Sequence, residues 1–538
     1  MKSGGYMSLI SRTSVLAALL AGIGPCSWAA GSAFNIMDYG AHNDASALST
    51  DAFHSAIQAA TAAGGGTVYV PAGRYTSGPI ELVSNMILHL DAGATLSFPA
   101  TKLPFTRGRW QGIEAITPLP LIGGRNLENV SIMGRGTITT SQADWMKIMG
   151  DPASGPDWLH LLELLELKKP IPEEEYRKAA PELLPMFVSL MDSKNVLIQG
   201  IHIVGSAMWP IQLVYDDNAV VSGVMVETFG GHDTGGIYVD SSRNVRISDC
   251  YIDTGDDGIV IKSGKDADGR RVNRPAENIS IANCTVHRAH GAVVLGSEIS
   301  GWIRNLVASN ITCDGTQMGV RVKTRRGRGG GVEDVRFDNW TMENVARGIN
   351  VSSFYVMAPE NKSTPPEEPV SERTSIYRNI AISHMTMHHS RLAIDIEGIP
   401  EMPIDGLHIS DIIASADVGM KAFNTRAMEL HNVQLNVNTG PVFLIRDSSD
   451  LELDNISARK VPEGTPVVRL DRCPGAIVRS SRAFPGTGTF LSVAPGELKS
   501  VVLEGNTLTE AKKPTEESAK IYPMLPESAT ERSWTEKN

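Results

Sequence analysis

The decisive stretch of the sequence reads Asn244-Val-Arg-Ile-Ser-Asp-Cys-Tyr-Ile-Asp-Thr-Gly-Asp-Asp-Gly-Ile-Val-Ile-Lys262. It contains two short β-rich runs, the first opened by Asn244 and the second by Gly258. Both kinds of run recur along the chain. The first kind begins at Asn195, Asn218, Asn244, Asn278, Asn305, Asp334 and Asn379, and the second kind at Gly236, Gly258, Gly291, Gly319 and Gly348. Repeats of about 20 to 50 residues without long helices between them predict a parallel β-solenoid, in which each strand stacks on its counterpart in the next coil.

Composition agrees with a β-rich globular protein. The 538 residues are 42% hydrophobic and 20% charged, so the chain can bury a large core. An aromatic content of 6% together with 51 glycines favours a turn-rich β protein. The formal net charge of −11 argues against general nucleic-acid binding. An acidic protein can nevertheless hold an anionic ligand where its cations are gathered in one place.

The N-terminus has the pattern of an export signal. Lys2 and Arg12 precede the apolar run 14–24, and Ala29 and Ala30 are the small residues of a cleavage site. We therefore predict a signal peptide over residues 1–30 and a secreted or periplasmic protein. A buried first helix and a lipid anchor at Cys26 are the alternatives. No later segment is long and apolar enough to cross a bilayer, so we expect no membrane association after removal of the signal.

The rest of the chain is predicted to form one β-helix domain over residues 33–505, in a protein that we expect to be a monomer. An Ala-rich run at 50–63 predicts a short N-terminal helix cap, and residues 145–182 predict a helical insertion whose apolar face serves packing. Residues 507–538, rich in Glu, Lys, Thr, Ser and Pro, predict a loose tail. Cys250, Cys284 and Cys313 occupy similar points of successive repeats, which indicates buried thiols.

The repeats place chemically active side chains close together. If the second-series glycines stack in one column, the preceding residues Asp257 and His290 lie one coil apart, roughly 5 Å between backbones. Alternation along a strand turns Arg321 and Lys323 outward and Val320 and Val322 into the core.

In a regular strand the side chain of Asp256 would point outward and that of its neighbour Asp257 inward. The flanking Gly255 and Gly258 predict a turn or bulge that brings both carboxylates into one cleft.

Each of these features alone has an ordinary structural explanation. An Asp-Asp pair beside glycine is common in turns, a single His in a strand is usually structural, and Arg-Val-Lys is typical of a solvated strand face. Their occurrence in register on consecutive coils favours a site. Carboxylates for proton transfer beside cations for an anion indicate an enzyme that acts on an acidic sugar polymer.

Three motifs carry a resemblance to a known family: Gly255-Asp256-Asp257, His290-Gly291 and Arg321-Val322-Lys323. With the segments 34–98 and 110–347, they resemble the polygalacturonases of glycoside hydrolase family 28, which are right-handed parallel β-helices. The resemblance implies an inverting hydrolase of α-linked galacturonic acid in plant cell-wall pectin, with no cofactor and no metal.

The same resemblance implies a role for each residue. Asp256 would protonate the glycosidic oxygen, and we expect its pKa to be raised by the second carboxylate. Asp257 would activate the attacking water, and His290 would hold the carboxylates and substrate in place. Arg321 and Lys323 would bind a galacturonate carboxylate.

One coil earlier the sequence departs from the family pattern. The usual Asn-Thr-Asp-Gly-Ile-Asp is here Asp233-Thr-Gly-Gly-Ile-Tyr238, so Gly235 replaces an aspartate that shares the water with Asp257. Tyr238 replaces a second acid and is predicted to line the cleft as a substrate-binding residue. Three accounts follow: Asp257 alone is the base, Asp233 or Asp240 substitutes, or hydrolysis is weak or lost.

Two other functions are compatible with the sequence. The first is a pectic lyase or epimerase of the same fold, and lyases of this fold commonly use Ca²⁺. The second is a non-catalytic polysaccharide-binding β-helix, which the glycine at position 235 makes credible. The loop at 324–331, rich in Gly and Arg, either extends the cationic floor of the cleft or is an ordinary solvated loop.

Overall fold

The computed structural model describes residues 32–149, 155–167, 169–355 and 366–523, and the chain forms a parallel β-helix. The predicted signal peptide at 1–30 lies outside the described residues. Among the described residues, no helix is long and apolar enough to span a bilayer.

Each coil of the helix contributes strands to three faces, and each strand pairs in parallel with its counterparts in the neighbouring coils. We call the first of these the cleft face. Its strands are Ile80–Glu81, Ile122–Arg125, Val188–Met191, Ile211–Val214, Ile237–Asp240, Ile259–Lys262, Val293–Gly296, Met318–Lys323, Arg347–Ser352, Pro466–Asp471, Thr489–Val493 and Lys513–Glu517.

The second face begins each coil at the Asn-initiated runs. Its strands are Ala33–Asn35, Gly66–Val70, Met86–Leu90, Glu128–Gly134, Lys194–Gln199, Asp217–Ser222, Arg243–Ser248, Ala276–Ala282, Glu452–Asp454, Ile477–Arg479 and Val502–Glu504. The third face contains Asp44–Leu48, Gly73–Thr76, Ala94–Ser97, Thr137–Thr139, His202–Val204, Met225–Glu227, Tyr251–Asp253 and Thr285–His287.

Later coils have longer, continuous strands. Ile303–Asp314 and Gly331–Glu343 pass through the second and third faces. Ile376–Glu397, Ile404–Phe423 and Glu429–Arg446 pass through all three, and Thr425–Arg426 is a short strand beside Ile404–Phe423.

Asparagines close the turn before the second face in two ways at once. Asn195 and Asn218 have φ angles of 55° and 60°, the left-handed conformation that asparagine tolerates. Their side chains also form a ladder: Asn218 Nδ2 donates to Asn195 Oδ1 at 2.7 Å, and Asn195 Nδ2 donates to Asn129 Oδ1 at 2.9 Å. The repeated asparagine therefore both permits the turn and ties consecutive coils together.

The interior is a continuous apolar core along the helix axis. Val320 and Val322 are fully buried in it, as the alternation along the strand predicts. Cys250, Cys284, Cys313 and Cys473 are buried free thiols, which confirms the prediction for the first three.

The described part of the chain adds five α-helices and one hairpin to the β-helix. The α-helices are α1 Thr50–Ala62, α2 Gln142–Met149, α3 Pro156–Glu166, α4 Glu173–Ala179 and α5 Asp266–Val272. The predicted helix cap and helical insertion are thus confirmed. The hairpin pairs Phe105–Trp110 with Ile113–Pro118 in antiparallel. Its two-residue turn, Gln111 and Gly112, has positive φ at both positions, as tight hairpins require.

The apolar side of α3 packs against this hairpin. Trp158 and Leu161 are buried, and the rings of Trp158 and Trp110 meet edge to face with centroids 5.0 Å apart. The insertion is thereby fixed beside the cleft face, and its apolar residues have the packing role predicted for them.

The prediction of a loose tail from residue 507 is wrong as far as Pro523. Lys513–Glu517 adds a strand to Thr489–Val493 on the cleft face, so the β-helix continues beyond 505. Tyr522 is buried against Phe423 and Leu444. This strand is rich in polar and charged residues, such as Lys513 and Glu516, because it lies at the end of the β-helix and one side of it faces solvent. Its composition therefore resembles that of a loose tail.

Candidate active site

The Asp256-Asp257 pair lies between a third-face strand that ends at Asp253 and a cleft-face strand that begins at Ile259. The backbone bends between these strands, and both carboxylates line one cavity on the cleft face, which we call the cleft. Its volume is about 240 Å³. The predicted turn between Gly255 and Gly258 is therefore confirmed, and it overrides the alternation of a regular strand.

The predicted column that joins Asp257 to His290 is wrong by one residue. Ile259 pairs with Val293, which places Ala292, and not Gly291, beside Gly258. The same register puts His290 beside Asp256, and the backbone N–H of His290 donates to the carbonyl of Asp256 at 3.0 Å. His290 therefore lies beside Asp256, the first carboxylate of the pair, and not beside Asp257.

Asp256 is held by two side chains. His290 Nδ1 lies 3.0 Å from Asp256 Oδ1, and the hydroxyl of Tyr238 donates to Asp256 Oδ2 at 3.2 Å. Burial opposes ionisation of Asp256, but the hydrogen bond and charge of His290 lower the pKa of this carboxyl below its ordinary value. The expectation of a raised pKa for Asp256 is wrong, because a cation, and not the second carboxylate, is its nearest charged neighbour.

His290 responds in the opposite direction. Burial disfavours the charged imidazole, but the hydrogen bond with Asp256 and the charges of Asp256 and Asp257 raise the pKa of His290 above its ordinary value. Both shifts favour a charged imidazole opposite an ionised carboxylate, a pair that carries one proton.

Asp257 is engaged by both of the predicted cations. Arg321 Nη1 donates to Asp257 Oδ1 at 3.1 Å, and Lys323 Nζ donates to Asp257 Oδ2 at 2.6 Å. All three side chains are less than one-tenth exposed. The structure thus brings Arg321 and Lys323 into the site as predicted, but as partners of a carboxylate of the protein.

Gly235 and Tyr238 fit each other sterically. A Cβ built on Gly235 would lie 2.2 Å from the Tyr238 hydroxyl and 2.3 Å from the carbonyl oxygen of Asp257. Tyr238 lines the cleft as predicted, although it is almost fully buried, and its ring stacks on Trp209 with centroids 4.0 Å apart. The tyrosine thus occupies the space that an acidic side chain at 235 would need.

The two acids proposed as substitutes for position 235 have different environments. Asp240 is fully buried and accepts a hydrogen bond from Arg109 Nε at 2.8 Å, so it does not reach the cleft. Asp233 lines the cleft, and Gln111 Nε2 donates to its carboxylate at 3.3 Å. Burial and the negative charge of Asp256 raise the pKa of Asp233. The account in which Asp240 substitutes is therefore wrong, and Asp233 stays a candidate.

Several residues of the cleft wall were not predicted from the sequence. Lys262 forms an ion pair with Glu298 and lies 5.4 Å from the centroid of the Trp209 ring. Lys262 has the same outward parity after Gly258 that Lys323 has after Gly319, and this signal could have identified it. Glu298 carried no such signal, because it follows its strand and lies in a loop.

The predicted Gly/Arg loop does contribute cations. Arg325 and Arg328 line the cleft, and Arg328 pairs with Asp266 at 3.2 Å. The loop therefore places two arginines at the cleft, which favours the first of its two interpretations.

Three groups of the site are close enough to be considered as metal ligands. One ligand atom each of Asp256, Asp257 and His290 lies within 4.8 Å of the others. However, each oxygen of Asp257 already accepts a hydrogen bond from a cation, and the charges of Arg321 and Lys323 oppose a divalent ion beside them. The donor set fits a proton-transfer site better than a metal site.

Comparison with known proteins agrees with the geometry. The profile described as Glycosyl hydrolases family 28 matches residues 174–421, and the profile described as Rhamnogalacturonase A/epimerase, pectate lyase-like matches residues 33–102. The crystal structure of a hyperthermoactive exopolygalacturonase from Thermotoga maritima matches with a TM-score of 0.69 and 30% sequence identity, over 76% of this chain and 92% of that one. This chain belongs to glycoside hydrolase family 28.

Relatives of this family 28 glycosidase support the assignment along most of its length. A probable polygalacturonase of Vitis vinifera is 28% identical over 454 residues, which cover 82% of this chain and 86% of the relative. An exo-poly-alpha-D-galacturonosidase of Dickeya chrysanthemi is 27% identical over 393 residues, 68% of this chain and 64% of the relative. The fold of this family 28 enzyme is accordingly the right-handed parallel β-helix that the sequence analysis expected.

Proposed function

We propose that this family 28 enzyme is an inverting hydrolase that cleaves α-linked galacturonic acid from pectic polysaccharide. The observation that carries the proposal is the contact of 3.0 Å between His290 Nδ1 and Asp256 Oδ1, with a second carboxylate, Asp257, in the same cleft. An inverting hydrolase needs one group that gives a proton to the leaving oxygen and one that takes a proton from water.

In the proposed reaction, the proton held by the Asp256–His290 pair passes through Asp256 to the glycosidic oxygen. The bond between the anomeric carbon and that oxygen breaks as water attacks the opposite face of the sugar. Asp257 receives the proton of this water. Arg321 and Lys323 hold Asp257 in place, so its orientation is fixed before the substrate binds.

Removal from the chain end is the mode of cleavage that we propose. Two relatives named above are exo-acting by their names. In addition, α3 of the helical insertion lines a cavity beside the cleft. This second cavity of about 340 Å³ shares Lys265 and Arg325 with the cleft and has Leu162 and Leu165 of α3 in its wall. A wall at this place favours binding of a chain end over passage of a long chain.

The hydrogen bonds of Asp257 favour hydrolysis over the alternative of a calcium-dependent lyase. Its oxygens face Arg321 and Lys323, whereas Ca²⁺ needs several carboxylate oxygens free of other cations. We also propose export to the periplasm or the medium, on the basis of the N-terminal 30 residues.

The proposal is tested with polygalacturonate and its oligomers. We expect saturated galacturonic acid as the product, its anomer inverted when first observed by NMR, and loss of activity by several orders of magnitude in Asp256→Asn. Asp257→Asn should lose more activity than Asp233→Asn, and the reverse order would assign the base to Asp233. Unsaturated products, or full activity of Asp256→Asn, would refute the proposed mechanism.

A further inference from the structure

The cleft contains a cation, Lys265, that no acidic group contacts among the residues that the structure describes. Lys265 follows the cleft-face strand Ile259–Lys262 and precedes α5, and its backbone N–H donates to the carbonyl of Gly112 at 2.9 Å. Among the described residues, its ammonium has no hydrogen bond or ion pair within 4 Å. A partly buried ammonium without a partner costs free energy, so its position needs a reason.

The acids around Lys265 are engaged by other cations. Glu298 pairs with Lys262 and, at 3.4 Å, with Arg328. Asp266 pairs with Arg328 at 3.2 Å and with Arg325 at 3.9 Å. Lys265 therefore adds a positive charge whose nearest carboxylates, Glu298 and Asp266, are already bound by other cations.

Burial and the charge of the neighbouring Arg328 both disfavour the charged form of Lys265. Burial lowers the pKa of Lys265, the charge of Glu298 opposes this, and the charge of Arg328 lowers it further. A bound anion would reverse this shift and stabilise the charged ammonium.

Lys265 is also placed where a ligand can reach it. It lines both the cleft of about 240 Å³ and the adjoining cavity of about 340 Å³, and Arg325 lines both as well. The Arg325 side chain is 42% exposed, so its guanidinium can turn toward a ligand with little rearrangement. By contrast, Arg321 and Lys323 are buried and bound to Asp257.

We propose that Lys265, with Arg325 beside it, binds a carboxylate of the acidic polysaccharide at the junction of the two cavities. This inference rests on the proposed function and identifies where the charge of the substrate is recognised. Discrimination between galacturonic acid and its methyl ester is assigned to Lys265.

The test compares charged and neutral ligands in a protein that cannot turn them over. In an Asp256→Asn background, trigalacturonic acid and its fully methyl-esterified form are titrated by calorimetry. We expect the parent to bind the acid more tightly than the ester. A charge-assisted hydrogen bond contributes roughly 1.5–3 kcal/mol, so Lys265→Met should weaken binding of the acid about 10- to 100-fold and leave that of the ester unchanged.

Two further variants keep the result interpretable. Lys265→Arg retains the charge and should keep the preference for the acid, whereas Lys194→Met, an exposed lysine of the second face, should change nothing. The ratio of the two affinities is measured within one preparation, so partial unfolding of a variant does not alter it.

The outcomes separate the two proposals. If Lys265→Met keeps the preference for the acid, the assignment to Lys265 is overturned while the proposed function stands. If the Asp256→Asn parent binds neither trimer, the proposed substrate class fails and this inference fails with it.

Discussion

The hydroxyl of Tyr238 lies 2.2 Å from the point where the side chain of residue 235 would begin. The same hydroxyl donates to Asp256 at 3.2 Å. Gly235 and Tyr238 are therefore sterically linked, because the tyrosine fits only where residue 235 has no side chain. Residue 235 supplies no carboxylate that could share a water with Asp257, and Tyr238 donates a hydrogen bond to the carboxylate that we propose as the acid.

The first prediction concerns this steric fit. Gly235→Ala should lower the free energy of unfolding by about 1–3 kcal/mol, because its Cβ meets the Tyr238 hydroxyl and the backbone of Asp257. In a Tyr238→Phe background the cost should be smaller, because the nearest of the three close contacts, the hydroxyl at 2.2 Å, is removed, while the ring Cζ at 2.8 Å and the Asp257 carbonyl at 2.3 Å remain. Denaturant unfolding of the parent protein, the two single variants and the double variant gives the coupling energy between residues 235 and 238. Gly488→Ala, where no heavy atom lies within 4 Å of the new Cβ, is the matched control. Additive effects would show that residues 235 and 238 are independent.

The second prediction concerns catalysis by the same tyrosine. Tyr238→Phe removes a donor to Asp256 but keeps the stack on Trp209, so the fold should be retained. We expect kcat/KM to fall about tenfold, equivalent to about 1.4 kcal/mol. The pKa of Asp256 should rise, because its anion loses a hydrogen bond. Tyr251→Phe on the third face serves as the control. An unchanged pH profile of kcat/KM in Tyr238→Phe would show that the hydroxyl does not act on Asp256.

The third prediction concerns pH. His290 has a raised pKa, so the Asp256–His290 pair keeps its proton below that value and loses it as the pH rises through it. Activity should therefore decline on the alkaline side at a pH set by His290. In His290→Gln only Asp256 can hold the proton, so the alkaline decline should move to lower pH, and kcat should fall at neutral pH. His287→Gln, whose side chain faces Asp314 outside the cleft, should leave the profile in place. If the activity of His290→Gln declined at the same alkaline pH as that of the parent, the proton would not be held by the Asp256–His290 pair.

The repeat pattern predicted the coils, and residue parity predicted the directions of Arg321, Lys323, Val320 and Val322. These features follow from strand periodicity, which the sequence displays directly. The error at His290 arose because glycine is not a reliable mark of one column. Ala292 fits beside Gly258, whereas Gly291 leaves room for Arg321, whose Cδ would lie 3.1 Å from a Cβ there. Only the three-dimensional packing distinguishes the two adjacent small residues.

Electrostatics was less accessible from the sequence than geometry. The Asp256-Asp257 motif indicated two repelling carboxylates, but each has its own cation in the structure: His290 for the first, Arg321 and Lys323 for the second. Pairing across 34 and 66 residues depends on coil stacking to within one position. Lys265 was missed for a related reason, because an unpaired cation is recognised only when the partners of all its neighbours are known.

The final prediction concerns the end of the β-helix. Compared with a chain that ends at Pro523, a chain that ends at Gly505 loses the strand Lys513–Glu517 and the buried Tyr522. It should unfold at a lower temperature, because Thr489–Val493 becomes an unpaired edge and the apolar surface of Phe423 and Leu444 is uncovered.

A chain that ends at Ser518 separates the two contributions. It keeps the strand but loses Tyr522 and the hydrogen bond from Lys421 Nζ to the Pro523 carbonyl, which measures 3.1 Å. Burial of one large side chain contributes roughly 1.5–3 kcal/mol, so this chain should lie between the other two in stability. Calorimetric unfolding of the three chains provides the measurement. Equal unfolding temperatures would mean that the segment after residue 505 does not stabilise the coil on which it lies, despite its pairing with that coil.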